Sequence, residues 1–533
     1  MNDSEVAKRL VEVLVGAKML PTGLREELLP SVSCGIDLFP VIRDAWATGR
    51  ERLTVAERRQ AKRVVSWIDA QRRHSARLTF GLVGGRTAMV RAWLGPRLAF
   101  WPQGVPTGRR VGLISSRLGR ALDEKPEWFR AVRAACGRLQ AERDVLVTAV
   151  GTTTCPVLER CAVHFGLRLL RVRIAERGDV SQWVRQLLRT KFQPPRRDVY
   201  ELLLSPPLFP HASEKRLPGD TDSTPPRDRA VVAMSDELMA IHLRRGGNLE
   251  RLLRARLADP SQREISVLLA VGPNLVPDEV VEELEGAGAV RWEPPEQMGH
   301  DPRKTASLST SVSPSVPVAA TAATARSKAS LVPIPPAADW DFLTHCTRRH
   351  DGPWPDQTEE EYWDELLFGL PSADRSALAV LMRIVQQRRL CGSAAAIRGG
   401  YRVVSFTAVP LRQVSRLRTF RAHRGRWDFE PYGLCIRCEW LQQQGARPVI
   451  YGDDESWERL SEAERPFFQQ RLSTSAASGR TIDWSVEREW RVLGDLDLGS
   501  LGPEEAFLFV ATESEAHQLA AVSPWPIAIM NRS

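Results

Sequence analysis

Residues 304–336 divide this sequence into two parts and rule out a single continuous core. The stretch KTASLSTSVSPSVPVAATAATARSKASLVPIPP has no aromatic residue and consists mainly of Ala, Ser, Thr, Pro and Val. Such a composition cannot bury enough apolar surface to offset the entropy of ordering the chain. We therefore expect a flexible linker over 301–336. Four of the five tyrosines and nine of the sixteen tryptophans lie beyond it, so the two flanking bodies differ in composition.

Length and charge narrow the class of protein further. A chain of 533 residues is too long for one core, and several domains are expected. A net charge of +9 is compatible with nucleotide or nucleic-acid binding but does not require it. The first residues lack the pattern of a signal peptide, and no apolar run reaches the roughly 18–20 residues of a membrane span. Eight cysteines are too few for a disulfide framework, so we predict a cytoplasmic protein with reduced thiols.

We predict a helical segment over 1–75 and an α/β domain over 76–300. Val6–Leu14 has helical apolar spacing, and Thr54 with Glu57 forms a capping-box pattern before a long helix. From Leu78 onward, strand-like runs alternate with helices, which favours a parallel sheet of Rossmann type. In RAVVAMSDELMAIHL we expect two strands, and in the Pro-rich stretch 205–230 we expect an exposed loop.

Two turns of this domain combine small hydroxyl residues with the end of a strand. Ser115-Ser116-Arg117 follows one strand, and Gly151-Thr152-Thr153-Thr154 follows another and opens a helix. Hydroxyl and backbone N–H groups at such positions can meet a phosphate at a helix N-terminus. There is no GxxxxGK[ST] pattern, so a P-loop is excluded.

The order of the two turns, followed by SDELMAIHLRRGGNLERLL, resembles the LOG/DprA-like (SLOG) superfamily of Rossmann-like nucleotide-binding domains. The resemblance covers roughly residues 78–295. It implies a pocket for a small nucleotide, formed by seven residues: Ser116, Arg117, Thr152, Thr153, Arg245, Gly246 and Gly247. The structural alternative is that these seven are ordinary turn and capping residues with no role in binding a ligand. Family members that cleave nucleotide N-glycosidic bonds carry PGGxGTxxE, whereas this chain has AVGTTTCPVLE without the paired glycines, which favours ligand sensing over catalysis through Glu159.

Beyond the linker, residues 337–533 predict an α+β domain with a mainly antiparallel or split sheet. Strand-like runs at Tyr401–Thr407 and Tyr432–Trp440 are rich in aromatic and β-branched residues. In Glu487-Arg488-Glu489, strand alternation predicts both carboxylates on one face.

His345-Cys-Thr347, then Tyr401, then Glu489 follow an order that resembles the ADP-ribosyltransferase fold of the His–Tyr–Glu type, over roughly residues 340–511. The resemblance implies NAD as the cofactor. His345 would bind ribose, Tyr401 would stack on nicotinamide, and Glu489 would be the catalytic carboxylate with Glu487 in reserve. Breaking the nicotinamide–ribose bond passes through an oxocarbenium-like state that a carboxylate can stabilise.

Each of these residues has a structural alternative. His345 could be a hydrogen-bonded core histidine, Tyr401 a packed strand residue, and the two carboxylates part of a salt-bridged edge. A variant assignment of the catalytic residues in this domain uses Arg348 with Ser473-Thr474-Ser475 and Glu487-x-Glu489. Cys435-x-x-Cys438 is a lone pair, whereas a structural zinc needs four ligands, so no metal is predicted.

Three hypotheses follow for the whole chain. The first is a nucleotide sensor joined to an effector that uses NAD, by hydrolysis or by ADP-ribosyl transfer to a macromolecule, in the bacterial defence setting that both resemblances imply. The second is a DprA-like protein that binds single-stranded nucleic acid. The third is a nucleotide N-glycosidase acting from the α/β domain. Sequence alone leaves open whether the protein is an enzyme and whether it forms oligomers.

Overall fold

The computed structural model describes residues 3–31, 35–75, 77–83, 88–190, 198–209, 224–259, 266–295, 329–395, 397–421, 426–474 and 481–530. The chain forms two compact units. The first comprises Met1–Ser311 with Gln357–Pro371, and the second comprises Val312–Asp356 with Ser372–Ser533. Most of the predicted linker, residues 301–328, lies outside the described residues.

The N-terminal residues are helical, as the apolar spacing predicts. Thr54 caps the longest of these helices, because its hydroxyl accepts from the Glu57 N–H while the Glu57 carboxylate accepts from the Thr54 N–H. The helices bury an apolar face that includes Leu10, Leu14 and Ile42. In chain order they are α1 (Asp3–Gly16), α2 (Arg25–Leu28), α3 (Leu38–Thr48) and α4 (Val55–His74).

A nine-stranded sheet forms the centre of the first unit. Its strands are β1 (Thr79–Leu82), β2 (Leu98–Trp101), β3 (Arg109–Ser115), β4 (Asp144–Ala149), β5 (Arg168–Ile174), β6 (Val199–Leu204), β7 (Glu237–His242), β8 (Ser266–Ala270) and β9 (Val290–Trp292). The spatial order is β1-β2-β6-β5-β4-β3-β7-β8-β9. Strands β3 to β9 are parallel, while β2 is antiparallel to its neighbours β1 and β6. The predicted Rossmann-type α/β fold is confirmed.

Helices cover this sheet. They are α5 (Ala88–Leu94), α6 (Pro126–Gly137), α7 (Cys155–His164), α8 (Val180–Leu187), α9 (Pro226–Met234), α10 (Asn248–Ala258) and α11 (Asp278–Glu285). Helix α12 (Glu359–Phe368), from the returning segment, packs on α6 and α7. The predicted strand over RAVVAM is wrong, because these residues form the end of α9, which is buried in the core with the β4 and β5 side chains. A short apolar run cannot be assigned by periodicity alone.

Helix α12 belongs to the first unit through specific contacts. Asp364 accepts two hydrogen bonds from Arg160 on α7 (2.7 and 2.6 Å) and lies 2.8 Å from His164 Nε2. Arg133 on α6 donates to the carbonyl of Leu367. Burial raises the pKa of Asp364, but the hydrogen bonds and charges of His164 and Arg160 outweigh it and hold the pKa below the usual range.

The second unit is built on a seven-stranded sheet with smaller two-stranded pieces. Its strands are β10 (Phe342–Cys346), β11 (Arg389–Leu390), β12 (Val403–Thr407), β13 (Thr419–Arg421), β14 (Arg426–Asp428), β15 (Gly433–Arg437), β16 (Arg447–Pro448), β17 (Ile450–Gly452), β18 (Phe468–Gln470), β19 (Leu472–Thr474), β20 (Thr481–Asp483), β21 (Glu489–Leu493), β22 (Leu496–Asp497), β23 (Ala506–Val510) and β24 (Ile527–Ile529). The large sheet has the order β16-β21-β12-β10-β15-β23-β24 and is antiparallel except at β23–β24. The mainly antiparallel prediction is confirmed.

The helices of this unit are α13 (Ala377–Gln387), α14 (Leu411–Val414), α15 (Cys438–Gln443), α16 (Asp454–Arg459) and α17 (Glu513–Ala520). One apolar cluster on one face of the sheet contains Leu343 and Phe406, and a second on the other face contains Phe342 and Phe509. The strand predicted over Tyr432–Trp440 ends at Arg437, because Cys438 begins α15.

Candidate anion-binding site

A cleft opens at the carboxyl ends of β3, β4 and β7. Connections run from β3 to β6 in one direction across the sheet, and from β7 to β9 in the other. The reversal lies between β3 and β7, which is where open α/β sheets bind ligands. The cleft measures about 440 Å³ and is lined by Ser115, Ser116, Arg117, Gly151, Thr152, Thr153, Pro225, Arg227, Asp228, Arg244, Gly247, Asn248 and Leu249.

Hydrogen bonds fix the turns that form its walls. The Ser116 hydroxyl accepts from the Arg244 N–H (3.0 Å), which ties the turn after β3 to the turn after β7. The Ser115 hydroxyl accepts from the Trp128 indole N–H (2.9 Å). After β4, the Thr152 hydroxyl donates to the Ala149 carbonyl (2.7 Å). These side chains are therefore held in place before any ligand arrives.

Three helices begin at this cleft. The N-cap residues of α7, α9 and α10 are Thr154, Pro225 and Gly247, and none makes a side-chain capping hydrogen bond. The first N–H groups of a helix lack intrahelical acceptors and carry partial positive charge. Pro156 in α7 and Pro226 in α9 have no N–H, so the partial positive charge of all three ends favours an anion, while α10 offers the fullest set of free N–H groups.

Arginine side chains strengthen that preference. Arg117, Arg227 and Arg244 line the cleft, and Asp228 is the acidic residue among its lining. The Nε atom of Arg227 is buried without a hydrogen-bond partner among the described residues. Burial raises the pKa of Asp228, opposed by the charges of Arg227 and Arg117.

Gly151 lets Arg227 reach this position. Its φ is +86°, and a Cβ at Gly151 would lie 3.1 Å from Arg227 Nη1. A residue with a side chain would therefore be strained by its backbone and would press on the guanidinium. The turn after β4 thus depends on glycine at this position.

Five of the seven residues predicted for the nucleotide pocket line the cleft: Ser116, Arg117, Thr152, Thr153 and Gly247. Arg245 and Gly246 are not among the lining residues. Arg245 pairs with Glu279 (2.6 Å), and the Gly246 N–H donates to Glu250 (2.6 Å).

Sequence reasoning missed Pro225, Arg227 and Asp228, because they fell in the stretch predicted as an exposed loop. The sequence signal that could have located these residues is the run Thr224-Pro225-Pro226-Arg227-Asp228. Proline at the first helical position and an acidic residue in the first turn mark a helix start.

Glu159, the residue on which the glycosidase hypothesis rests, lies outside the lining of the cleft. Its carboxylate pairs with Arg171 (3.0 Å) and accepts a weak hydrogen bond from the Cys155 thiol (3.6 Å). Burial and the Glu159 charge raise the pKa of that thiol to about 11. The Glu159 carboxylate is therefore already engaged by Arg171 and by the Cys155 thiol.

The second unit does not bring His345 and Glu489 together. Thr344 pairs with Thr407, and Thr407 pairs with Glu489, so these three side chains share one face of the sheet. His345, the next residue on β10, therefore points to the opposite face. Its ring packs edge-on against Phe406 at 5.6 Å between centroids. A single NAD molecule cannot contact both side chains on one face.

Glu489 serves as the counter-ion of a buried arginine. Arg491, only 1% exposed, donates two hydrogen bonds to the Glu489 carboxylate (2.9 and 3.0 Å). Arg491 also donates to the carbonyls of Pro466 and Phe468 and to Gln469. The Tyr451 hydroxyl accepts from the Glu489 N–H (2.8 Å). This network matches the salt-bridged alternative.

The strand alternation predicted for Glu487-Arg488-Glu489 is wrong. Glu487 ends a short 3-10 helix over Trp484–Glu487, and Arg488 has a φ of +46°. This left-handed residue breaks the extended backbone, so β21 begins only at Glu489. Tyr401 likewise precedes its strand, since β12 begins at Val403.

The remaining sequence candidates lie apart from one another. Arg348 is 3.7 Å from Asp428, while the Ser473 hydroxyl accepts from the Trp484 indole N–H (2.8 Å); Ser475 lies outside the described residues. Cys435 is buried in β15, whereas Cys438 begins α15. Within the described part of the chain, no three His, Cys, Asp or Glu side chains gather as a metal site would need.

The fold and the cleft define the first unit as a doubly wound α/β domain with an arginine-lined cleft at its switch point. No protein-family model matches the chain, and no curated protein matches it. Among solved structures, the chain is similar to DNA processing protein A (DprA) from Streptococcus pneumoniae, with 14% identity over 55% of this chain and 95% of that one. The TM-score is 0.26, a value too low to support any conclusion about function. Searching the described helices for a membrane span found none of sufficient length and apolarity.

Proposed function

We propose that the α/β unit binds the phosphate or pyrophosphate group of a nucleotide in the cleft between β3, β4 and β7. The observation that supports this most directly is the meeting of three uncapped helix N-termini with Arg117, Arg227 and Arg244. Each feature alone is common, but their convergence at the switch point of a parallel sheet is typical of phosphate sites.

The size of the cleft favours a nucleotide over a bare phosphate. A volume of about 440 Å³ falls within the usual range of small-molecule pockets. The arginines and helix ends would hold the phosphate. The Ser116, Thr152 and Thr153 hydroxyls and the Asp228 carboxyl would remain for ribose or base. Binding without chemistry is the simpler proposal, because Glu159 is engaged elsewhere.

Calorimetric titration of the full chain with pyrophosphate, and then with a panel of nucleoside phosphates, tests the proposal. Arg244→Gln should weaken pyrophosphate binding by about tenfold or more, because it removes a charged hydrogen-bond donor from the cleft. The neighbouring Arg245→Gln is the matched control, since Arg245 is exposed and pairs with Glu279. Equal effects of the two variants, or no binding by the unaltered chain, would refute the proposal.

The hypothesis of an NAD-using effector stays a prediction from sequence. The two faces of the sheet separate His345 from Glu489, and Arg491 occupies the Glu489 carboxylate, so this geometry does not favour it. Nicotinamide release from NAD by the full chain, measured with and without the nucleotide that fills the cleft, tests it directly. Release that is abolished in a folded Glu489→Gln variant would establish the NAD chemistry.

A further inference from the structure

The second unit carries a hairpin that the core does not require. Among the strands that the structure describes, β13 and β14 pair only with each other. The hairpin leaves the core at Leu417 and returns at Phe429, and both of these side chains pack against the Phe342–Phe509 cluster. The exposed side chains that the structure describes on these two strands are therefore available for a purpose other than packing.

Two aromatic rings lie exposed on this hairpin. Phe420 is 49% exposed and Trp427 is 42% exposed, although such side chains are usually buried. They face each other across the strands, with ring centroids 5.3 Å apart. Both rings keep more than two-fifths of their surface exposed, so the pair forms a partly exposed aromatic surface.

Arginines surround the pair. Arg418 lies over the Trp427 ring at 4.8 Å, and Arg412 and Arg416 on the preceding helical turns are exposed. In the sequence 411–430, arginine occupies 412, 416, 418, 421, 424 and 426, against acidic residues at 428 and 430 only. Both acids have partners: Asp428 lies 3.7 Å from Arg348, and Glu430 accepts from the Arg349 N–H (3.3 Å). The sequence around the pair therefore carries a net positive charge, and the exposed Arg412, Arg416 and Arg418 place part of it beside the rings.

We infer that the aromatic pair Phe420 and Trp427, with the exposed Arg416 and Arg418 beside it, binds single-stranded nucleic acid. The unpaired bases would stack on Phe420 and Trp427, and the arginines would contact the phosphates. Stacking rings within a basic surface are how proteins bind single strands without reading their sequence. Duplex DNA keeps its bases inside, so it offers the rings nothing to stack on. This inference concerns a different unit from the cleft and does not depend on it.

Fluorescence anisotropy of the full chain with a labelled 20-nucleotide oligothymidylate, and with oligouridylate, tests the inference. Phe420→Ser with Trp427→Ser should weaken binding by at least about tenfold, since each stacked base contributes about a factor of ten. The matched control is Leu472→Ser with Val486→Ser, which removes two exposed apolar side chains from the same unit. Because all four residues are exposed, these variants should remain folded, which the urea midpoint checks.

Charge variants supply a second readout. Arg416→Gln with Arg418→Gln should lower the slope of log affinity against log salt by about 1.4, or 0.7 for each lost phosphate contact on a single strand. Arg459→Gln, exposed and distant in sequence, should leave the slope unchanged. A salt slope that does not change in the double variant would overturn the inference.

Binding through the cleft would give a different pattern. Oligonucleotide binding through the cleft would be lost in Arg227→Gln and unaffected by the hairpin variants. That result would overturn the inference about the aromatic pair and leave the proposal for the cleft intact. No binding of either oligonucleotide, or equal binding of duplex and single strand, would also overturn it. Comparison of oligothymidylate with oligouridylate shows which of the two polymers the hairpin prefers.

Discussion

Glu489 and His345 lie on opposite faces of one sheet, and that separation determines what each side chain can do. Glu489 neutralises the buried guanidinium of Arg491. The His345 Nδ1 hydrogen-bonds the Ser405 carbonyl (2.9 Å), and the ring contacts Phe406. Both residues are satisfied within the protein, so their first effect on substitution should be on stability.

Replacing Glu489 by Gln should destabilise the second unit. The change removes the only carboxylate that the structure shows pairing with Arg491, a residue 1% exposed, and leaves a buried positive charge. We expect a loss of about 2–3 kcal/mol in the free energy of unfolding, measured by urea denaturation. The exposed Glu455→Gln should change it by less than about 0.5 kcal/mol. Unchanged stability in Glu489→Gln would contradict a structural role.

His345 should make stability fall in mild acid. Burial lowers its pKa to about 4, although part of the residue surface reaches solvent. The unfolded histidine has a pKa of about 6.5 and binds a proton first as the pH falls. Between pH 7.5 and 5 the folded state should therefore lose at most about 2 kcal/mol through this residue.

His345→Gln keeps a donor for the Ser405 carbonyl but cannot titrate. Urea midpoints of both proteins at pH 7.5 and pH 5 should show a smaller acid loss in the variant. The same loss in both proteins would rule out His345 as its source.

The turns at the ends of β3 and β4 form the cleft through backbone shape as well as side chains. Gly151 and Gly119 both have positive φ (+86° and +89°), but a Cβ meets Arg227 only at Gly151; at Gly119 it meets nothing within 4 Å. Alanine at either position should cost about 1 kcal/mol of stability. Only Gly151→Ala should weaken pyrophosphate binding, by about fivefold, as calorimetry would measure. A comparable loss in Gly119→Ala would indicate a general effect of strain.

Sequence reasoning reaches its limits most clearly at the scale of single helices and strands. The hydroxyl turns at Ser116 and Thr152 were predictable, because each directly follows a strand-like run, and the second also precedes a helix start. The helical state of the apolar residues of α9 was harder to predict, because they fit a buried strand equally well, although the Pro-Pro-Arg-Asp start carried a local helix signal. The faces of His345 and Glu489 depend on how β10, β12 and β21 pair, and pairing register is a property of the whole sheet. The left-handed backbone of Arg488 was also not predictable, because no local sequence pattern signals it.

For the molecule as a whole, the composition break predicted bodies over 1–300 and 337–533, whereas the first of the two compact units also contains Gln357–Pro371. The return of Gln357–Pro371 to the first unit was not predicted. It depends on Asp364, whose partners Arg160 and His164 lie about 200 residues earlier in the chain. No local pattern could identify that pairing.

Asp364→Asn should loosen α12 on the first unit. Losing the charge removes charge-assisted hydrogen bonds from Arg160, so amide hydrogen exchange over residues 359–368 should accelerate by about tenfold or more. The same stabilisation should disappear in acid as the pH falls through the lowered pKa of Asp364. Glu359→Gln, in the exposed first turn, is the control. Exchange that stays as slow as in the unaltered chain would show that Asp364 does not hold the helix.

The pairing of β3 with β7 has a consequence for how the protein folds. Arg110 and Asp236 lie 126 residues apart in the chain, yet the Asp236 carboxylate accepts from the Arg110 N–H at 2.8 Å. Closing so long a loop is entropically unfavourable, and sheets with such distant partners form slowly. The cleft lies across this seam, so its two walls meet only after both halves of the sheet have formed. Ligand binding should therefore appear with the slowest refolding phase of the first unit, well after the secondary structure is in place.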